Sequence, residues 1–332
     1  MRKFKIQLRS ASSIIIILII SGLLVTISSC RKLQQDIPLN LPAFKSQLAI
    51  ECYLGDLDAS QCSLNGLVGI EAAVSNTQDY FAPISLNSLQ VKGAEVTVSY
   101  DSAGQTYTFP LQEDLIINNC DTSNVKLFNY KYFKYTFSYD SVKIGGTYIH
   151  LPNFKPKTRI HFHTGLIYKL KVDDHQGRIA TAETQWLDTV SIKSIRPIFN
   201  AHDTNYSLIV KWNDASLAND YYRMQIRVLN MDSASVIKRG HPLMQDVTFT
   251  DNINNGGELA IGGPYRYKQG DSIEVKMFHI RKEFYDYLRT VNAAVNSMGN
   301  PFGQPASIAS NVTNGLGIFT VLPWSKRIIV LR

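Results

Sequence analysis

Charge is scarce in this chain of 332 residues. Only 18% of them are Asp, Glu, Lys or Arg, against 45% hydrophobic, which excludes an intrinsically disordered protein or a charge-laced coiled coil. Cysteine is rarer still, at four residues, and a chain long enough for two domains needs no disulfide scaffold to hold its core. Nor is there an unbroken apolar run of the roughly 20 residues that a spanning helix requires. The longest apolar stretch, from Ser12 to Ser29, is interrupted by Ser21 and Gly22.

Catalytic signatures are missing as well. Gly-x-Ser-x-Gly does not occur, and Gly315-Leu316-Gly317 is followed by no Lys-Ser/Thr pair and opens no strand-turn-helix unit. Serine-hydrolase and nucleotide-binding chemistry are therefore not expected. The net charge of +7 suggests an anionic partner until its location is read. Without Arg2, Lys3, Lys5 and Arg9, 30 basic residues face 27 acidic ones and the excess falls to +3. The remaining basic residues form no stripe with stacking aromatics, so no nucleic-acid partner is expected.

What is present begins with an address. A basic segment (Arg2 to Arg9), an apolar segment (Ile14 to Ile20, resuming at Leu23 to Ile27) and the small-residue end Ile27-Ser28-Ser29-Cys30 read as a secretory signal over 1–29. Ile27-Ser28-Ser29-Cys30 resembles the bacterial lipobox, whose cysteine is lipidated on sulfur and becomes the new amino terminus. The resemblance implies lipidation at Cys30 and anchorage in the outer membrane through acyl chains. Residues 30–46, with Pro38 and Pro42 and little periodic apolarity, read as a flexible tether. Arg31-Lys32-Leu33-Gln34-Gln35-Asp36 carries a single late acid, so neither face of the membrane is assigned.

Past the tether, Tyr (17) and Phe (15) are abundant and apolar residues alternate with period two, which predicts strands. Residues 47–193 are expected to form one antiparallel β-sandwich. Its clearest hairpin is Val91 to Tyr100 with Gln105 to Leu111; a second joins Gly165 to Val172 with Arg178 to Thr184. Leu48, Ile50, Cys52 and Leu54 share one strand face, and Cys62 opens a candidate partner strand. A Cys52–Cys62 bridge and a buried thiol both fit, and with Cys120 the odd count leaves one thiol over. The aromatic segment Phe128 to Tyr139 offers Tyr130 and Tyr132 as sugar-stacking candidates or as core residues.

A second domain is expected over 194–332. Tyr206 to Trp212 followed by Tyr221 to Val228 is similar to the B and C strands of fibronectin type III modules, with Trp212 as the core aromatic. The fold class is accordingly mainly β: two antiparallel immunoglobulin/fibronectin III-like sandwiches with one amphipathic helix near the C-terminus. That helix is placed at 283–298, where Phe284, Leu288, Val291 and Val295 recur at helical spacing before Gly299 and Pro301. A Gly/Asn-rich loop is expected over 299–322, and a closing strand over Trp324 to Leu331.

Candidate chemistry is sparse. His161 and His163 share a strand face at a spacing that metal sites use, yet no third ligand is nearby, and a solvated strand face is the preferred reading, so no metal is expected. Asp173 with Asp174, or Glu283 with Asp286, supply carboxylate pairs of the kind glycosidases use, but such pairs arise by chance in any chain of this size. No cofactor is expected.

Several stretches together resemble the Bacteroidota-type outer-membrane lipoprotein family known as domain of unknown function 4249. The carriers are Leu48 to Leu54; Gly93-Ala94-Glu95-Val96-Thr97-Val98; Gly165 to Val172 with Ala180-Thr181-Ala182-Glu183-Thr184; Tyr221-Tyr222-Arg223; and Phe284-Tyr285-Asp286-Tyr287-Leu288. The end completes the pattern: Asn300-Pro301-Phe302, Pro305, Ser310-Asn311-Val312 and Gly315-Leu316-Gly317-Ile318-Phe319. The resemblance implies a secreted lipoprotein, often encoded near TonB-dependent receptors, with no catalytic set to carry over. Asn300, Pro301, Phe302, Asn311, Gly315, Gly317 and Phe319 stand as a candidate docking loop, with packing the competing role. The resulting expectation is a non-enzymatic binding or accessory component of an envelope assembly, with a TonB-dependent receptor as partner and a glycan or nutrient as ligand. The alternative is a carbohydrate-active enzyme or adhesin on a sandwich scaffold.

Overall fold

Alternation of apolar and polar side chains fixes the first half of the chain. In β1 (Leu48–Gly55), Leu48, Ile50, Cys52 and Leu54 are buried, while Glu51 between them faces solvent. In β2 (Gly69–Asn76), Ile70, Ala72 and Val74 are buried on the same side. The computed structural model describes residues 44–55, 69–79, 83, 86–89, 91–115, 131–134, 139–144, 147–152, 162–202, 204–214, 219–239, 244–252, 257–264, 266–297 and 307–332. The expected leader, most of the expected tether, Cys30, Cys62, Cys120, Tyr130, His161, Gly299, Asn300, Pro301 and Phe302 lie outside these residues.

After a short helix α1 (Leu86–Leu89) come the hairpin β3 (Glu95–Ser102) and β4 (Gln105–Leu115), then β5 (Lys131–Lys134). A separate hairpin joins β6 (Tyr139–Ile144) to β7 (Thr147–Pro152), and a further one joins β8 (Ile167–Asp173) to β9 (Ile179–Gln185). The cross-strand register stacks like on like: Val96, Val98 and Tyr100 of β3 face Val172, Leu170 and Tyr168 of β8 on one side and Leu111, Phe109 and Tyr107 of β4 on the other. Such pairs are the unit of sheet stability. They close one core with Leu48, Ile50, Cys52, Leu54, Ala180 and Ala182.

The second half is a sandwich of three strands on four. β10 (Ile192–Asn200), β11 (Asn205–Asn213) and β14 (Glu258–Gly262) form one sheet. β12 (Tyr221–Val228), β13 (Met244–Thr250), β15 (Ser272–Ile280) and β17 (Trp324–Val330) form the other, in the order β13-β12-β15-β17. A short helix α2 (Ser233–Lys238) links β12 to β13. Leu208, Val210 and Trp212 meet Tyr222, Met224, Ile226, Ile273, Val275 and Met277 between the sheets. This three-plus-four arrangement is that of fibronectin type III modules, and Trp212 lies in its core as expected.

Two expectations are corrected. The loop placed at 299–322 gives way to strand at its far end: β16 (Gly315–Leu322) pairs with β1, and the pair is parallel where an antiparallel arrangement was expected. The edge of the first sheet, ordered β16-β1-β2-β5-β4-β3-β8-β9, is thus made by residues from near the other end of the chain. A parallel pair needs a long crossover, and the whole second sandwich supplies it. The two edges of that sheet meet where Thr181 and Thr313 exchange backbone hydrogen bonds of 3.1 and 2.8 Å.

The second correction concerns the helix α3 (Lys282–Ser297), which starts one residue early and buries Phe284 and Tyr287 while Val295 is 57% exposed. Its turn of contact is decided by the sheets it covers. Phe284 and Tyr287 join Phe278 and Ile280 of β15 with Ile318 and Leu322 of β16 in a third core. Tyr53 of β1 and Tyr221 of β12 pack against it, so this core welds the two sandwiches. Residues Ser46–Arg332 form one compact unit.

Candidate functional site

The β16 edge is built for close approach. A Cβ on Gly317, whose φ is +117°, would stand 1.9 Å from the Ile50 carbonyl oxygen, and one on Gly315 would stand 2.8 Å from that of Leu48. Only glycine lets β16 lie this close to β1. Asn311 then acts as a substitute strand: its Oδ1 accepts from the Phe319 N–H at 2.9 Å and its Nδ2 donates to the Phe319 carbonyl at 2.8 Å. Phe319 itself is 0% exposed. Within the candidate docking loop, Gly315, Gly317 and Phe319 are therefore packing residues in a strand. Asn311 is their clamp.

The other sequence candidates divide in the same way. Cys52 is buried on the inner face of β1. His163 is exposed just before β8, and His175, also exposed, lies in the β8–β9 turn. Asp174, 2% exposed, holds that turn: Oδ1 accepts from the backbone N–H groups of Gln176 (2.8 Å) and Arg178 (3.0 Å), and Oδ2 accepts from Arg178 Nε at 2.5 Å. Burial alone would raise its pKa, but those N–H donors and the guanidinium outweigh it and hold the carboxyl below its ordinary value. Asp286 pairs with Lys282 one turn away on α3. These carboxylates are committed to structure.

One cluster has no such explanation, and no local motif announces it. Asp214 follows β11, Asp220 precedes β12, and Asp251 follows β13, so three strand ends bring three carboxylates to one end of the second sandwich. The pairing of Tyr221 with Thr250 sets Asp220 beside Asp251, and the Asp251 N–H donates to the Asp220 carbonyl at 3.2 Å. One oxygen from each carboxylate lies within 4.8 Å of the others. Asp220 is 7% and Asp251 1% exposed, with Asp214 half-buried.

The surrounding polar groups leave the site electron-rich. The Tyr222 hydroxyl donates to Asp214. His279, opposite Tyr222 on β15 and 2% exposed, sets Nδ1 2.9 Å from the Asp188 carbonyl and Nε2 3.3 Å from Asp220 Oδ1. A carbonyl can only accept, so Nδ1 is the donor to Asp188, and Nε2 faces Asp220 Oδ1. Burial raises the Asp220 pKa; His279 pulls it down again, and Asp214 and Asp251 add to the rise. Among the described residues, neither oxygen of Asp251 nor Oδ2 of Asp220 has a hydrogen-bond partner. The sequence hint of this site is His279 in the run Val275 to Ile280, every residue of which is buried.

Fold and cores define a mainly β protein in which a fibronectin III-like sandwich is fused to a second β domain through a shared strand and helix. Within that class, the family model described as "Domain of unknown function (DUF4249)" matches residues 34–328, and the chain belongs to that family. Among curated proteins none matches it significantly. Solved structures similar to it include a chain of a cytokine receptor complex, at 12% identity over 70% of this chain and 90% of that one, with a TM-score of 0.24. The FN1–FN3 domains of chicken CNTN1 match at 8% identity over 88% and 68%, with a TM-score of 0.23. A DUF4785 family protein from Legionella pneumophila matches at 9% over 81% and 56%, with a TM-score of 0.20. Scores this low assign no function.

Proposed function

We propose that the protein is an outer-membrane lipoprotein, anchored through Cys30, that serves as a non-enzymatic binding or accessory component of an envelope assembly with a TonB-dependent receptor. The observation that carries this reading is the leader ending in Ile27-Ser28-Ser29-Cys30. Two or more acyl chains on the new amino terminus hold a protein stably at a bilayer, where a single chain binds only marginally. Residues 31–46 then space the folded unit from the membrane. Support for binding over turnover comes from the carboxylates considered for glycosidase chemistry, since Asp174 locks a turn and Asp286 is paired with Lys282.

The test has two parts. Cys30→Ala is expected to move the protein from the membrane to the soluble fraction, and retention of the variant in the membrane would overturn the anchoring. A C-terminally tagged protein, drawn from gently solubilised envelopes, is expected to bring a TonB-dependent receptor in stoichiometric amount. Recovery of the protein alone would refute the accessory role. Turnover of a polysaccharide by the purified protein would refute the non-enzymatic one.

A further inference from the structure

Burying carboxylates without partners is costly, because water that solvated them is lost and nothing replaces it. At the end of the sandwich three carboxylates converge, with His279 in contact with Asp220 alone of the three. Tyr222 donates to Asp214. Asp251, 1% exposed and with both oxygens unpartnered among the described residues, faces the other two carboxylates. A divalent cation would supply the partner that these unpaired oxygens lack.

We propose that Asp214, Asp220 and Asp251 form a binding site for a hard divalent cation, with calcium as its ion. The geometry admits one. Three oxygens no more than 4.8 Å apart leave a point within about 2.8 Å of all three, and side-chain adjustments of a few tenths of an ångström reach the 2.3–2.6 Å of calcium–oxygen bonds. All the donors offered are oxygens, which suits calcium over zinc or copper. Both nitrogens of His279 are engaged by Asp188 and Asp220, so the imidazole is no ligand. It is a positioning residue that fixes Oδ1 of Asp220 and leaves Oδ2 for the ion. Bound there, the ion would tie together the ends of β11, β12 and β13. The proposal does not depend on how the protein is anchored or on what accompanies it.

The test uses the full-length protein in detergent, stripped with EDTA and dialysed. Calcium chloride is added back, with magnesium and zinc chlorides in parallel, while the melting temperature and bound metal per chain are measured. Calcium is expected to bind at one ion per chain and to raise the melting temperature, and EDTA to reverse the rise. In Asp251→Asn, which keeps the size of the side chain, affinity should fall by at least about tenfold. The metal-free variant should melt at or above the metal-free wild type, since a buried charge has been removed. Asp214→Asn provides a second variant should the first not fold. A wild type indifferent to calcium, a response to zinc alone, or variants that bind calcium like the wild type would each overturn the assignment.

Discussion

Asp174 carries the β8–β9 turn on a single carboxylate, and its replacement isolates what charge adds to shape. Asp174→Asn retains an oxygen for the backbone N–H groups but loses the guanidinium contact, and should cost about 1–3 kcal/mol at neutral pH. The sign with pH follows from the lowered pKa. A carboxyl held below its unfolded value adds stability above about pH 4, and that stability is lost as pH falls through the folded value. Urea unfolding at pH 7 and pH 3 should therefore show the wild-type advantage shrinking in acid; an unchanged gap would refute the account. This turn was legible in the sequence, because Asp173-Asp174-His175-Gln176-Gly177 is a local signal between alternating strands. The cluster of Asp214, Asp220 and Asp251 was not. Asp251 lies far along the chain from Asp214 and Asp220, and only the Tyr221–Thr250 register and the tyrosine–histidine pair on β12 and β15 bring the three together.

Among the elements, β16 shows how tertiary context overrides local preference. Gly315-Leu316-Gly317 reads as loop because glycine is a poor strand former and weakens strands it interrupts. Here the glycines admit the backbone of β1, and the pairing compensates for their weak propensity. Gly317→Ala would drive a methyl into the Ile50 carbonyl at a backbone angle that side chains avoid. Overpacking and strain together should destabilise the protein by about 2–4 kcal/mol, read as a lower urea midpoint. A midpoint within experimental error of wild type would show that β16 moves away freely. By contrast, β3, β4, β8, β9, β11 and β12 were all legible, since each alternates cleanly and most join a sequence neighbour through a short turn. For α3 the periodicity revealed the helix and most of its seam, since Phe284, Leu288 and Val291 pack into the core, but it missed Tyr287, which is buried and donates to Glu51 Oε1 at 2.6 Å, and Val295 points outward.

At the scale of the whole molecule, the joint between the two strand-rich halves was not legible in the sequence, because it consists of side chains that meet only after the sheets on both sides exist. Phe284 is its centre, 1% exposed beside Tyr53, with the Arg223 guanidinium 5.6 Å from its ring. Phe284→Ala should cost about 3–5 kcal/mol. Hydrogen exchange should rise first in 315–322 and at the β15 end near Phe278 and Ile280, with the Trp212 core protected longer. Uniform loss of protection would place the weakness elsewhere. The passage of β16 into the first sheet also has a bearing on biosynthesis. Until residues 315–322 have been made, β1 is an open edge, and open edges invite pairing with other chains. Assembly of the first sheet thus waits on a strand made only after β15 and α3, so a product cut short before β16 would betray itself at β1, where quality control could find an unpaired strand.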